Sequence, residues 1–411
     1  MKFKKMITIA VAIGALSISG CAQNSTNEKK DGTFNVYASV YDYGARVDKV
    51  MIESPVTLNG DSIKKDTFTV TTNNKSTAGI DYENGERTVE KVYVSDKNGK
   101  KADEGKYVVV KLETNLNTEY SDVLQWNDDT FSNVPLEVEY KVKQNKDVET
   151  KDGKKVELKL SQDKFVQNIV DEFDSGESKD GIHYRDYKPK ADGKKHPLVI
   201  WLHGAGEGGE NNVAQINGNR GAVAFTTDEA KEIFDNPYVL APQSPDYWMP
   251  EFAVGDLVLK GTDNTDKVVS LIKEYIAEHD DIDENRVYIG GCSMGGYQTW
   301  ETLFAAPELF AGAFPICAAY DVPTENMDKV KEIPMWLMHA TIDDTVPVQY
   351  SRNAYKHMQE LGANVLYTEY PEVKVEGQDY ESHAVWVYPL NNEATTEDGT
   401  TFFEWLASQH K

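Results

Sequence analysis

Cysteine is scarce in this chain: Cys21, Cys292 and Cys317 are the only three among 411 residues. None has the spacing of a zinc site, and Cys292 and Cys317 lie in small-residue and apolar stretches that read as buried, unpaired thiols. A disulfide scaffold is therefore excluded, and the fold rests on a hydrophobic core, which this length allows. Positive charge is also short, with 43 Lys and Arg against 68 Asp and Glu and a net charge of −25. A surface of that sign repels phosphate backbones and excludes nucleic acid as a partner. The apolar run Met6 to Ile18 is shorter than the roughly 20 residues of a spanning helix. No internal repeat or low-complexity tract occurs, which excludes solenoids and propellers. No metal or organic cofactor is implied.

That apolar run follows Lys2, Lys4 and Lys5, the order of an export signal. It ends Leu16-Ser17-Ile18-Ser19-Gly20-Cys21, which resembles a bacterial lipobox. The resemblance implies a signal peptide over 1–21, a lipid on Cys21, and a protein held on the outer face of a bacterial membrane. Plain secretion, with Cys21 discarded, is the alternative. Residues 22–33 are polar and read as a flexible tether.

Two patterns divide the remainder. Over 34–145, short alternating runs such as Phe34 to Val40, Val89 to Val94, Tyr107 to Leu112 and Leu136 to Tyr140 are separated by turns such as Asn59-Gly60-Asp61. That spacing predicts an antiparallel sandwich of about seven strands. Residues 146–180 are charged and glycine-containing and read as a connector, with a possible strand at Val156 to Leu160. Over 181–411, strand-like and helix-like segments alternate, which predicts a mostly parallel sheet with helices on both faces. Within it, Val268, Val269, Leu271, Ile272, Tyr275 and Ile276 form one broad helical stripe.

The second region carries the chemistry. Gly291-Cys292-Ser293-Met294-Gly295 follows an apolar strand and precedes a helical pattern. G-x-S-x-G in that setting is the sharp turn that lifts a serine hydroxyl above a sheet edge. A serine nucleophile needs a base, an orienting acid and an oxyanion hole. The order serine, acid, histidine is met by Ser293, by Asp343 in the loop after Met335 to His339, and by His383. Asp344 is the next choice for the acid; His357 lies inside a helix and His410 at the chain end. The oxyanion donors are read as the backbone N–H of Met294 and that of Ala205, with Gly206 close behind, in His203-Gly204-Ala205-Gly206-Glu207. His203 reads as a structural residue holding that loop.

Together these residues resemble the α/β-hydrolase superfamily from about residue 180 to the end. His203 to Glu207, Ala241-Pro242-Gln243 with Trp248, Ser293 to Tyr297 with Trp300, and His383 with Trp386 resemble secreted bacterial esterases related to polyhydroxybutyrate depolymerases and feruloyl esterases. Part of that group is described as predicted peptidases of the prolyl oligopeptidase clan. Some members carry an immunoglobulin-like domain in front, and 34–145 is similar to it. The resemblance implies an α/β-hydrolase fold behind a small all-β sandwich, and cleavage of short-chain or aromatic carboxylic esters. Gln243, Trp248 and Trp386 are candidate substrate contacts, because aromatic faces suit an aromatic acyl group or a sugar ring. Gln298 and Ala340 depart from the pattern, standing where glycine is usual. A peptidase with the same triad and a non-catalytic binding lipoprotein are the other readings. Self-association through the β domain is a further expectation.

Overall fold

The computed structural model describes residues 28–254 and 257–411. The export signal and the lipidation candidate Cys21 lie outside the described residues.

The first unit is all β. Its main sheet runs, in spatial order, Val148–Glu149, Lys155–Val166, Glu28–Tyr41, Gly44–Asn59, Glu104–Leu112 and Val89–Ser95. Smaller sheets pair Tyr140–Gln144, Phe68–Thr72 and Glu86–Arg87, and Lys75–Ser76, Ser132–Glu137 and Leu124–Asn127. Inward residues alternate with outward ones as the pleat requires, and Val36, Val50, Ile52, Val70, Val108 and Val110 close one core. Three sequence expectations change. The tether over 22–33 is too long, because Glu28 already pairs with Val156 and the ladder runs on through Gly32 opposite Leu160. The connector over 146–180 is largely structured: Lys155–Val166 lies parallel to the first strand and buries Val156 and Leu158. The single run Leu136 to Tyr140 is divided, with Glu137 ending one strand and Tyr140 starting another in a different sheet.

The second unit is built on eight strands, labelled here β1 (Asp174–Glu177), β2 (His183–Tyr187), β3 (His196–Leu202), β4 (Tyr238–Gln243), β5 (Ile282–Cys292), β6 (Gly312–Ile316), β7 (Met335–Ala340) and β8 (Val365–Tyr370). Their spatial order is β1-β2-β4-β3-β5-β6-β7-β8. Strand β2 is antiparallel to both of its neighbours, β1 and β4, and every other pairing in the sheet is parallel. Strand β3 is buried along its whole length, which explains its unbroken apolar run His196-Pro-Leu-Val-Ile-Trp-Leu202. Val199 and Trp201 face one core; Leu198, Ile200 and Leu202 face the other. Helices α1 (Thr265–Glu278), α2 (Met294–Ala305) and α3 (Gln349–Glu360) cover the second face, and α4 (Phe402–Ala407) covers the first. In α1, Val268, Leu271, Ile272 and Tyr275 are buried, while Val269 and Ile276 sit half-buried on the flank.

The units are bonded at several places. Tyr43 Oη and Leu116 N–H each donate to the Glu376 carboxylate at 3.1 Å, and Asn117 donates to Gln378 at 3.0 Å. Glu376 and Gly377, both at positive φ, form the tip of a hairpin (374–379) that leads directly into His383. Deeper in the interface, Gln167 donates to Asn217 at 2.8 Å.

Candidate active site

Strand β5 delivers Ser293 into a sharp turn. Ser293 has φ 56° and ψ −117°, a conformation costing a non-glycine residue roughly 1–3 kcal/mol that the surroundings must enforce. Its N–H donates to Ile316 O at 2.9 Å, and its carbonyl accepts from Ala319 N–H at 2.9 Å and Tyr297 N–H at 3.1 Å. Those bonds pin the turn against β6. The flanking glycines are sterically required: a Cβ on Gly291 would lie 2.3 Å from Leu202 O, and one on Gly295 would lie 2.0 Å from the same oxygen. The side chain of Ser293 is half-exposed at the start of α2.

The loop after β7 carries Asp343, the candidate acid. Asp343 Oδ2 accepts from His383 Nδ1–H at 2.7 Å, and its Oδ1 accepts from the N–H groups of Thr345 and Val346 at 2.9 and 2.8 Å. Burial pushes this carboxyl toward the neutral form, yet the bonds from His339, His383 and Val346 overcome it and hold the pKa far below the ordinary carboxylate range. Asp343 is therefore an anion throughout the neutral pH range. That bond fixes the tautomer of His383 and leaves Nε2 with a free lone pair. Nε2 is buried and has no hydrogen-bond partner among the described residues. No bond joins it to Ser293 Oγ, as is common before substrate arrives. Asp344 instead accepts from Ser382 Oγ at 2.6 Å.

His339 also reaches the Asp343 carboxylate, a contact that chain order does not point to because His339 precedes the candidate acid. Its Nε2 lies 3.1 Å from Asp343 Oδ2, and its Nδ1 lies 2.8 Å from Ser351 Oγ. The one sequence signal for it is the spacing His339 to Asp343 across a strand end. Cys317, Asp343 and His383 bring potential ligand atoms within 4.8 Å of one another. These atoms are committed elsewhere: Asp343 to both histidines, and the Cys317 thiol, whose pKa burial raises well above its usual value, to His383 O at 3.5 Å.

The oxyanion loop sits between β3 and the elbow. His203 is buried, and burial pushes its pKa down to about 4 despite its bond to Gly204. As a neutral ring it accepts from Ser244 N–H at 3.0 Å through Nε2 and donates through Nδ1 to Gly204 O at 2.6 Å. Ala205–Glu207 form one helical turn, and Met294 begins α2. N–H groups at such starts lack partners within the helix, which makes those of Ala205, Gly206 and Met294 the candidate oxyanion donors.

Two proposed substrate contacts are corrected. Trp248 is fully buried in the core and donates to His203 O at 3.0 Å, so its ring braces the loop from below. Gln243 is buried as well; it donates to Glu207 O at 2.9 Å and accepts from Asn212 N–H at 2.7 Å. Both are scaffolding for residues 203–212. Trp386 stands beside the chemistry, its ring perpendicular to that of His383 at 5.5 Å. Gln298 ties the elbow helix to α1 and to itself through Thr265 and Thr302, at 3.2 and 3.0 Å.

Glu207 closes the loop from behind with a buried carboxyl. Burial raises its pKa from 4.5 to about 7, against the pull of bonds from the Gly204 and Glu207 N–H groups. The native state thus binds this proton more tightly than the unfolded chain. Its influence on stability is most favourable below about pH 4.5, falls as pH rises to about 7, and is flat beyond. The integrated cost is on the order of 3 kcal/mol. Glu207→Gln is expected to stabilise the protein at pH 8 and to leave it nearly unchanged at pH 4.5. Urea unfolding at the two pH values checks the sign.

An α/β sheet of this order, with a serine at a strained strand–helix turn, defines the α/β-hydrolases. Residues 35–157 match the family of the esterase Ig-like N-terminal domain, and residues 189–382 match the phospholipase/carboxylesterase family. The crystal structure of a thermostable esterase is 31% identical, with a TM-score of 0.78, over 92% of this chain and 99% of that one. Acyl-protein thioesterase 1 of Emericella nidulans is 26% identical over 230 residues, which are 48% of this chain and 94% of that protein. The chain belongs to the α/β-hydrolase esterases that carry an immunoglobulin-like N-terminal domain, and it is an enzyme.

Proposed function

We propose that the protein hydrolyses carboxylic esters through a Ser293–His383–Asp343 triad and an acyl-enzyme. The observation carrying this reading is the 2.7 Å bond from His383 Nδ1 to Asp343, which leaves Nε2 without a partner among the described residues. Ser293 Oγ attacks the ester carbonyl as His383 Nε2 takes its proton. The oxyanion is held by Met294 N–H and by Ala205 N–H, with Gly206 alongside. His383 then returns the proton to the leaving alkoxide, and water repeats the sequence to release the acid.

An ester leaves readily as alkoxide, so the triad and two donors suffice for it. An amide additionally needs its nitrogen protonated in place and the chain gripped on both sides. The immunoglobulin-like unit is a sandwich, with none of the repeated blades that restrict a prolyl oligopeptidase to peptides. Short-chain and aromatic acyl esters are the expected substrates. The test compares kcat/KM for p-nitrophenyl acetate, methyl ferulate, a thiophenyl ester and proline p-nitroanilides on one preparation. Esters are expected to exceed anilides by at least about a hundredfold. Anilide turnover equal to ester turnover would make the protein a peptidase, and thioester turnover above both would align it with the Emericella relative.

A further inference from the structure

The immunoglobulin-like unit reaches the oxyanion loop with one hairpin. Leu124–Asn127 pairs with Ser132–Glu137, and Trp126 lies opposite Asn133 in that register. Both side chains rest on Gly206: a Cβ there would be 2.9 Å from the Trp126 indole and 3.1 Å from Asn133 Nδ2. Glycine at 206 therefore leaves the space that the indole occupies. The same loop meets the elbow on its other side, where a Cβ on Gly204 would be 3.7 Å from Cys292 Sγ and one on Gly295 would be 2.6 Å from His203 O.

The indole is held firmly. Nε1 donates to Asp128 at 2.9 Å, and Phe131 packs edge-on at 4.8 Å. Phe131 meets Phe252, Phe252 meets Tyr247, and Tyr247 Oη returns to Thr130 O in the hairpin tip. Yet Trp126 remains 41% exposed, one of the few large apolar side chains left open among the described residues. An exposed, immobilised ring next to Ala205 and Gly206 is what a flat apolar ligand group stacks on at little entropic cost.

We propose that Trp126 is a specificity-determining residue, a stacking platform supplied by the immunoglobulin-like unit for an aromatic group of the ester. The proposal rests on the esterase reading above and adds the substrate feature recognised. The aromatic group can belong to the acyl or to the alcohol half, and three esters separate these sources: ethyl acetate with neither, ethyl benzoate with the first, and phenyl acetate with the second.

Trp126→Ala in the full-length protein is expected to raise KM about tenfold for one aromatic arm, with ethyl acetate changed less than twofold. Trp126→Leu keeps apolar bulk against Gly206 without a flat face; it should match Ala in selectivity while unfolding close to wild type. Trp126→Phe should recover most of the aromatic preference. Parallel loss for all three esters, or equal selectivity in Trp126→Leu and wild type, would reduce Trp126 to a domain contact and overturn the proposal. Failure of the esterase reading is seen separately, as absence of fluorophosphonate labelling of Ser293 in the wild-type protein.

Discussion

Ser293→Ala should eliminate ester turnover, by about 10⁴-fold or more, and with it all labelling by a fluorophosphonate probe. The fold should survive, because the elbow is fixed by backbone bonds to Ile316, Ala319 and Tyr297 rather than by the hydroxyl. Alanine in the same strained conformation leaves those bonds intact, and the thermal midpoint should stay within a few degrees of wild type. The measurement is intact-mass labelling beside a thermal melt. A labelled Ser293→Ala protein would move the nucleophile to another residue.

Asp343→Asn should lower kcat by about 10⁴-fold with KM little changed, since an amide no longer fixes His383 in the tautomer that frees Nε2. Asp344→Asn should cost far less, because that carboxylate holds Ser382 and not the imidazole. The pair settles which aspartate works. A severe Asp344→Asn beside a mild Asp343→Asn would reverse the assignment. His339→Gln belongs in the same set: it removes one of the donors that keep Asp343 ionised and should reduce kcat by a smaller factor.

Much of this was legible in the sequence, for identifiable reasons. Parallel strands buried on both faces read as unbroken apolar runs, so Leu198 to Leu202 and Met335 to Met338 stood out without any partner in view. The elbow was legible because sterics confine its neighbours to glycine. Burial of Gln243 and Trp248 was not, since an aromatic or amide near a strand end serves equally as a substrate wall or as a brace beneath a loop. His339 stayed hidden because its role is set by side-chain direction at a strand end rather than by chain order. The sequence pattern starts the first strand too late for a similar reason: Glu28, Lys29 and Lys30 are polar, and only the pairing with Val156 to Leu158 reveals them as strand. Trp126 fell in a stretch where hydropathy alone gives no hint of which unit it serves.

Glu376 has a bearing on how this protein can be recombined. Its carboxylate joins Tyr43 and Leu116 of the first unit to the hairpin that leads into His383, so the two units share a joint rather than a mere seam. A chimera that exchanges the sandwich for that of another esterase separates partners that lie far apart in sequence. Cutting after Val166 respects both sheets, yet the graft also has to bring matching residues at 43, 116–117, 126 and 133 for Glu376, Gln378 and Gly206 to meet. In this architecture the unit of inheritance is the pair of domains.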